Sequence, residues 1–145
     1  MIAMGERKSI EDGAVIDASV AVKWFVLAES TAASRSILQL VSEAADRRFV
    51  VPEVFYPELL SALKKSREEL DELMGALEIV ERLPLDAVPW RESPRREASR
   101  LALNNLGAYD ALYAALALDR KLPLITADLR LARALGMPPW VHAVA

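Results

Sequence analysis

Four carboxylates stand where a carboxylate is costly or aimed: Asp17, Glu58, Asp110 and Asp128. Asp110 is the sole charged residue in LGAYDALYAALAL, Leu106 to Leu118. A segment of that length with no polar face reads as a helix buried nearly all round. A lone carboxylate inside it requires a partner, hydrogen bonds or a metal ion. No residue at helical spacing can pair with it, since Leu106, Gly107, Tyr113 and Ala114 are uncharged. A distant arginine, held as a buried ion pair, is the alternative. Asp17 and Asp128 each mark a point where an apolar strand should give way to a helix, and each is equally readable as a helix N-cap. Glu58, in YPELLSAL, falls in a first helical turn if that helix begins at Pro57, where a carboxylate suits the dipole.

Taken together the four suggest more. Several carboxylates converging on one cleft cannot all stay ionised, because each raises the pKa of the others. A divalent cation resolves the conflict. The chain has no cysteine and one histidine, His142. Thiolate ligation, cysteine nucleophiles and a two-histidine acid–base mechanism within one chain are therefore excluded. Oxygen-only ligation selects hard ions, Mg²⁺ or Mn²⁺. An ion of that kind keeps waters, one of which can become a hydroxide nucleophile, and it polarises phosphate oxygens. Hydrolysis of a phosphodiester is the natural chemistry.

Such a site needs strands to aim it. AVID at Ala14–Asp17, FVV at Phe49–Val51 closed by Pro52, LPLIT at Leu122–Thr126 and the segment Trp140–Val144 read as strands, with Leu85–Val88 a weaker one. Between them, helical patterns cover Ala18–Ala28, a span capped by Ser30 or Thr31 and running to about Asp46, Glu53–Lys65, Arg67–Leu83, Pro94–Asn104, the Asp110 segment and Asp128–Leu135. The helix near Glu53 either begins after Pro52 and kinks at Pro57 or begins at Pro57. Short apolar strands alternating with helices imply a parallel sheet covered on both faces. Asp17 and Asp128 would then lie at carboxyl ends of strands, the edge where open parallel sheets build their sites.

The segments VIDASVAVKWF, PELLSAL, AYDALYAALA and ITADLRL, in this order and spacing, resemble the PIN-domain nucleases. More narrowly, the chain looks like the VapC-type toxins of toxin–antitoxin pairs, from about Ala14 to Val144. The resemblance implies a three-layer α/β/α sandwich with a mostly parallel central sheet and a Mg²⁺- or Mn²⁺-dependent endoribonuclease that cuts RNA. It also implies inhibition by a VapB-type antitoxin. By that resemblance Asp17, Glu58, Asp110 and Asp128 are the catalytic metal ligands. Ser19 and Thr126 match hydroxyl positions beside the first and last aspartates. They would orient ligand carboxylates or contact substrate, or simply cap the local backbone. Where the family often has asparagine three residues after its glutamate, Ser61 stands here.

Residues 1–13 are expected to form an N-terminal extension that need not be ordered, and residues 14–145 a single nuclease domain. The apolar share of 53% points to an extra buried surface. The first helix and the stripe Leu70–Val80 are candidates for a homodimer interface. No apolar run is long enough to cross a membrane, and a cytoplasmic protein is expected. The net charge of −3 argues against broad electrostatic capture of nucleic acid but leaves room for a local basic groove. Lys23, Trp24, Phe25, Tyr109, Tyr113 and the face Arg95, Arg96, Arg100 are readable as RNA contacts or as core and solvated surface; the plainer reading is preferred for each. Three other functions fit some of these residues. They are a PIN nuclease of RNA processing, a non-catalytic interaction module, and an aspartyl-phosphate phosphotransferase, which would want an aspartate where Ser19 stands.

Overall fold

Five strands pair in parallel in the order β3-β2-β1-β4-β5. The computed structural model describes residues 9–67 and 69–144. Residues 1–8 of the expected extension therefore lie outside the described residues; Ser9 begins the described chain by capping a 3-10 turn at Ile10–Asp12. The strands are β1 (Ala14–Ile16), β2 (Phe49–Pro52), β3 (Leu85–Val88), β4 (Leu124–Thr126) and β5 (Val141–Ala143). The helices are α1 (Ala18–Phe25), α2 (Ala32–Glu43), α3 (Phe55–Leu63), α4 (Leu70–Arg82), α5 (Arg95–Leu103), α6 (Ala108–Arg120) and α7 (Leu129–Ala134).

β1, β2 and β4 are buried along their whole length, as expected of strands covered on both faces. β3 buries only Leu85 and Val88, because it is the sheet edge. That is why LDAV carries a weaker strand signal. The chain crosses from β1 to β2 to β3 in one direction, then back from β3 to β4 and on to β5. Right-handed crossovers in opposite directions put their helices on opposite faces. The packing agrees: α1 meets α2 and α3, and α3 meets α4, whereas α5 packs on α6 and α7 on β4 and β5. The result is a three-layer α/β/α sandwich whose crossovers reverse between β1 and β4.

Several helices start and stop differently from the sequence pattern. α1 ends at Phe25, not Ala28, and residues Leu27–Glu29 form a separate 3-10 turn. Thr31 caps α2 through a reciprocal capping box with Ser34, and α2 stops at Glu43, short of Asp46. α3 begins at Phe55, so Pro57 sits in its first turn and does not kink it. The left-handed φ of 114° at Gly13 is obligatory, because a Cβ there would come within 2.5 Å of the Arg48 carbonyl oxygen. That glycine lets the chain pass close under Arg48 immediately before β1. Among the described residues, no helix is long and apolar enough to cross a membrane.

Candidate active site

The reversal point between β1 and β4 is where a crevice opens at the carboxyl edge of a parallel sheet. The register pairs Ile16 with Ile125, so the next residues, Asp17 and Thr126, emerge side by side. Asp17 occupies the N-cap position of α1, yet its side chain makes no capping bond. Its carboxylate is 5% exposed and turns instead toward β4. Thr126 Oγ1 and Ser19 Oγ each donate to Asp17 Oδ2 over 2.7 Å.

The two hydroxyls have no freedom left. Thr126 Oγ1 also accepts the Asp128 backbone N–H at 3.0 Å, and Ser19 Oγ accepts that of Ala127 at 2.9 Å. Each hydroxyl has one proton and commits it to the carboxylate while accepting a backbone N–H, so each braces the backbone and orients Asp17. Among the described residues no hydrogen bond reaches Asp17 Oδ1. Burial raises the Asp17 pKa, the two hydroxyl bonds pull it back, and the charges of Asp110 and Asp128 raise it further.

Replacing Thr126 by valine keeps the shape but removes one donor to Asp17 and the acceptor for the Asp128 N–H. Thr126→Val is expected to destabilise the chain by about 1–3 kcal/mol, the cost of leaving such groups unsatisfied. Urea denaturation at pH 7 in chelator measures this, and an unchanged midpoint would show that the hydroxyl is not needed there.

Asp128 divides its two oxygens between roles. Oδ1 caps α7, accepting the N–H groups of Arg130 and Leu131. Oδ2 faces the crevice and lies 3.2 Å from Arg130 Nη2. Glu58 stands in the first turn of α3, on the opposite helical layer from Asp110. Asp110 stands in the first turn of α6. The expectation of a helix buried nearly all round fits Ala111 and Tyr113–Ala117 but not Asp110 itself, whose side chain keeps 19% of its surface. Gly107 starts the helix so late that Asp110 lies at its open end, facing the crevice.

Each of these carboxyls carries the imprint of the others. Burial pushes Glu58 up to about 7, the Tyr113 hydroxyl opposes the rise, and the charges of Asp17 and Asp110 add to it. Burial also raises Asp110, with Arg130 opposing and Asp128 reinforcing. Glu58 Oε1 is buried without a hydrogen-bond partner. So is the hydroxyl of Tyr113, a fully buried phenol that senses Glu58 and Asp17 and is itself pushed upward by burial.

Two residues here escaped sequence reasoning. Tyr113 reads as core, and its ring is core, but its buried hydroxyl lies near enough to Glu58 and Asp17 for both to push it upward. Its signal was its position one helical turn after Asp110. Arg130 Nη2 bridges Asp110 Oδ2 at 3.3 Å and Asp128 Oδ2 at 3.2 Å. Its signal was an arginine two residues after a strand-end aspartate.

The open hollow against these groups measures about 270 Å³ and is lined by Glu58, Gly107, Ala108, Tyr109 and Asp110. Tyr109, largely exposed, forms its rim. A second hollow on the far side of Glu58 includes Ser61 and Lys65. Other candidates are more ordinary. Trp24 packs against the core and donates to the Ser34 carbonyl at 2.9 Å, and Phe25 packs there too. Lys23 reaches the Glu29 carbonyl, Arg95 and Arg96 lie in solvent, Arg100 pairs with Glu97, and His142 is buried in β5.

The donor chemistry fits a hard divalent ion: oxygen ligands only, one buried glutamate oxygen without a partner, and one aspartate oxygen left open. The spacing is not yet that of a cage. Among the described residues, no three acidic or imidazole side chains stand close enough together to hold an ion as they are. The cation between Asp110 and Asp128 is the Arg130 guanidinium.

Comparison with known proteins gives a consistent picture. The family model for the PIN domain matches residues 14–135. No curated protein sequence matches the chain. Among solved structures, a toxin–antitoxin complex from Klebsiella pneumoniae aligns over 91% of this chain and 100% of its own, at 15% identity and a TM-score of 0.63. FitAcB from Neisseria gonorrhoeae aligns over 88% of this chain and 95% of its own, at 17% identity and a TM-score of 0.62.

Proposed function

The chain belongs to the PIN-domain family, and on that footing we propose that it is a Mg²⁺- or Mn²⁺-dependent endoribonuclease, the toxin of a toxin–antitoxin pair of the VapBC type. The observation that carries the reading is the meeting of Asp17, Glu58, Asp110 and Asp128 at the reversal point of the sheet, each near enough to shift or be shifted by another. Residues 14–145 act as one catalytic domain.

Asp17, Glu58, Asp110 and Asp128 would hold the ion. When bound, it supplies Lewis-acid polarisation of the scissile phosphate and a water acidic enough to attack it near neutral pH. The protein's own part is positional. Ser19 and Thr126 fix the rotamer of Asp17, so that its free oxygen points one way. Glu58, pushed up to about 7 by burial in the metal-free chain, has to give up its proton to hold the ion. Asp128 keeps one oxygen on the helix and offers the other. The phenol of Tyr113, buried beside Glu58, keeps bulk water from that side of the carboxyl.

The likeness to the Klebsiella toxin–antitoxin complex supports an antitoxin partner. An arginine from such a partner matches this acidic crevice, because a guanidinium fork pairs with carboxylates. A homodimer is supported by Leu70, Met74 and Ile79, all exposed along α4, and by Leu27 in the 3-10 turn that follows α1. Both partner surfaces and the RNA lie in the cytoplasm in this reading.

The purified chain is expected to cut single-stranded RNA in Mn²⁺ or Mg²⁺ and to be inert in EDTA. Full activity in EDTA, or products ending in 2′,3′-cyclic phosphate, would instead indicate attack by the ribose hydroxyl without a metal-bound water. Such a result would overturn the reading.

A further inference from the structure

Arg130 stands at the mouth of the crevice with one nitrogen, Nη2, in contact with two of the four carboxylates. Three features of this contact are unusual. The side chain is 75% exposed, so nothing buries or locks it. One partner, Asp128, is the N-cap of its own helix α7, but the other, Asp110, comes from α6, so the arginine ties two helices together and does not merely decorate one. And the described carboxylates, arranged around it as they are, do not form a cage for an ion.

A cation already sits where the acidic residues need one. Two carboxylates facing each other without an intervening positive charge repel. The guanidinium relieves that repulsion. It is also displaceable, since exposed ion pairs are weak and cost side-chain entropy to hold.

We propose that Arg130 is a built-in exchangeable counter-cation: in the metal-free protein it bridges Asp110 and Asp128, and a divalent ion must displace it to bind. The inference rests on the metal-site reading above and concerns how that site is regulated. Arg130 is a positioning residue that acts by holding two ligands together and by competing for them. Release costs little in structure. The cap of α7 depends on backbone N–H groups of residues 130 and 131, not on the arginine side chain, and therefore survives the exchange.

The test is calorimetric titration of Mn²⁺ into wild-type, Arg130→Gln and Arg130→Lys proteins, all stripped with chelator. Losing the competitor should tighten Mn²⁺ binding by Arg130→Gln roughly three- to tenfold, the range that two exposed ion pairs support. Arg130→Lys should stay near wild type, because a single nitrogen makes both contacts and an ammonium can replace it in charge. Raising the salt concentration should narrow the gap between wild type and Arg130→Gln, since exposed pairs are screened. Equal affinity in wild type and Arg130→Gln, or weaker binding by Arg130→Gln, would overturn the proposal. So would an Arg130→Lys protein that binds as tightly as Arg130→Gln. Absence of Mn²⁺ binding by all three proteins would overturn it together with the metal-site reading. Circular dichroism of Arg130→Gln in chelator checks that the variant is folded, as its exposure predicts.

Discussion

Asp110→Asn is expected to abolish at least 99% of metal-dependent RNA cleavage while leaving the fold nearly as stable as before. Loss of a residue that merely supports a metal ligand costs about 10–100-fold in affinity or activity, so loss of a ligand itself should cost at least the upper figure. Stability decides what Asp110 does in the resting protein. Had its arginine been buried, removing the aspartate would strand a charge and cost roughly 3–5 kcal/mol. Arg130 is 75% exposed and keeps Asp128, so its loss of one partner should cost no more than about 1 kcal/mol. The opposing gain comes from removing a carboxylate whose ionisation is disfavoured by burial and by Asp128. Thermal melts in EDTA and a cleavage assay in Mn²⁺ read the two quantities separately. Destabilisation of several kcal/mol would mean that the Arg130 bridge is a structural lock, and undiminished cleavage would remove Asp110 from the site.

Glu58 gives the chain an inverted pH response for a carboxylate, and Glu58→Gln should abolish it. The folded chain holds the Glu58 proton up to about pH 7, whereas the free carboxyl releases it near 4.5. Between those values the folded state binds more protons than the unfolded one, so stability falls as pH rises through the window and stays low above it. Glutamine carries no such penalty. The variant should match wild type near pH 4 and exceed it at pH 8 by about 1–3 kcal/mol, allowing for the partial exposure of the side chain. Its cleavage should nevertheless fall about 100-fold, and wild-type Mn²⁺ affinity should rise with pH until Glu58 is fully ionised, because a ligand must be deprotonated. Urea denaturation of the pair in chelator at pH 4, 6 and 8 isolates the effect of this one group. A wild-type protein that gains stability over the variant as pH rises would show that Glu58 is not held in its acid form.

Much of this architecture is legible in the sequence. AVI, FVV and LPLIT announce buried parallel strands because almost every residue in them is apolar. The aspartates that follow the first and last of these segments mark the sheet edge that faces the crevice. What stays hidden depends on tertiary placement. The apolar run around Asp110 has no polar face, so its pattern does not tell where the helix begins. Only the start at Ala108 puts Asp110 at an open end. Tyr113 satisfies a core pattern with its ring while its hydroxyl meets a carboxyl from another layer. Arg130 is one exposed arginine among many in composition, and only the approach of α6 to the end of β4 brings it between two acids.

The order of the strands has one more implication, for the life of the chain before it is complete. β4 lies inside the sheet, flush against β1, although 107 positions separate Thr126 from Ser19 along the chain. A ribosome must release residues 124–128 before Asp17 acquires its Thr126 donor or Asp128 exists. Until then the nascent polypeptide exposes an unpaired flank of β1 and lacks the final carboxylate. Long-range parallel pairing of this kind forms late and slowly. On the proposed reading, the nuclease site is therefore incomplete until residue 128 has been made.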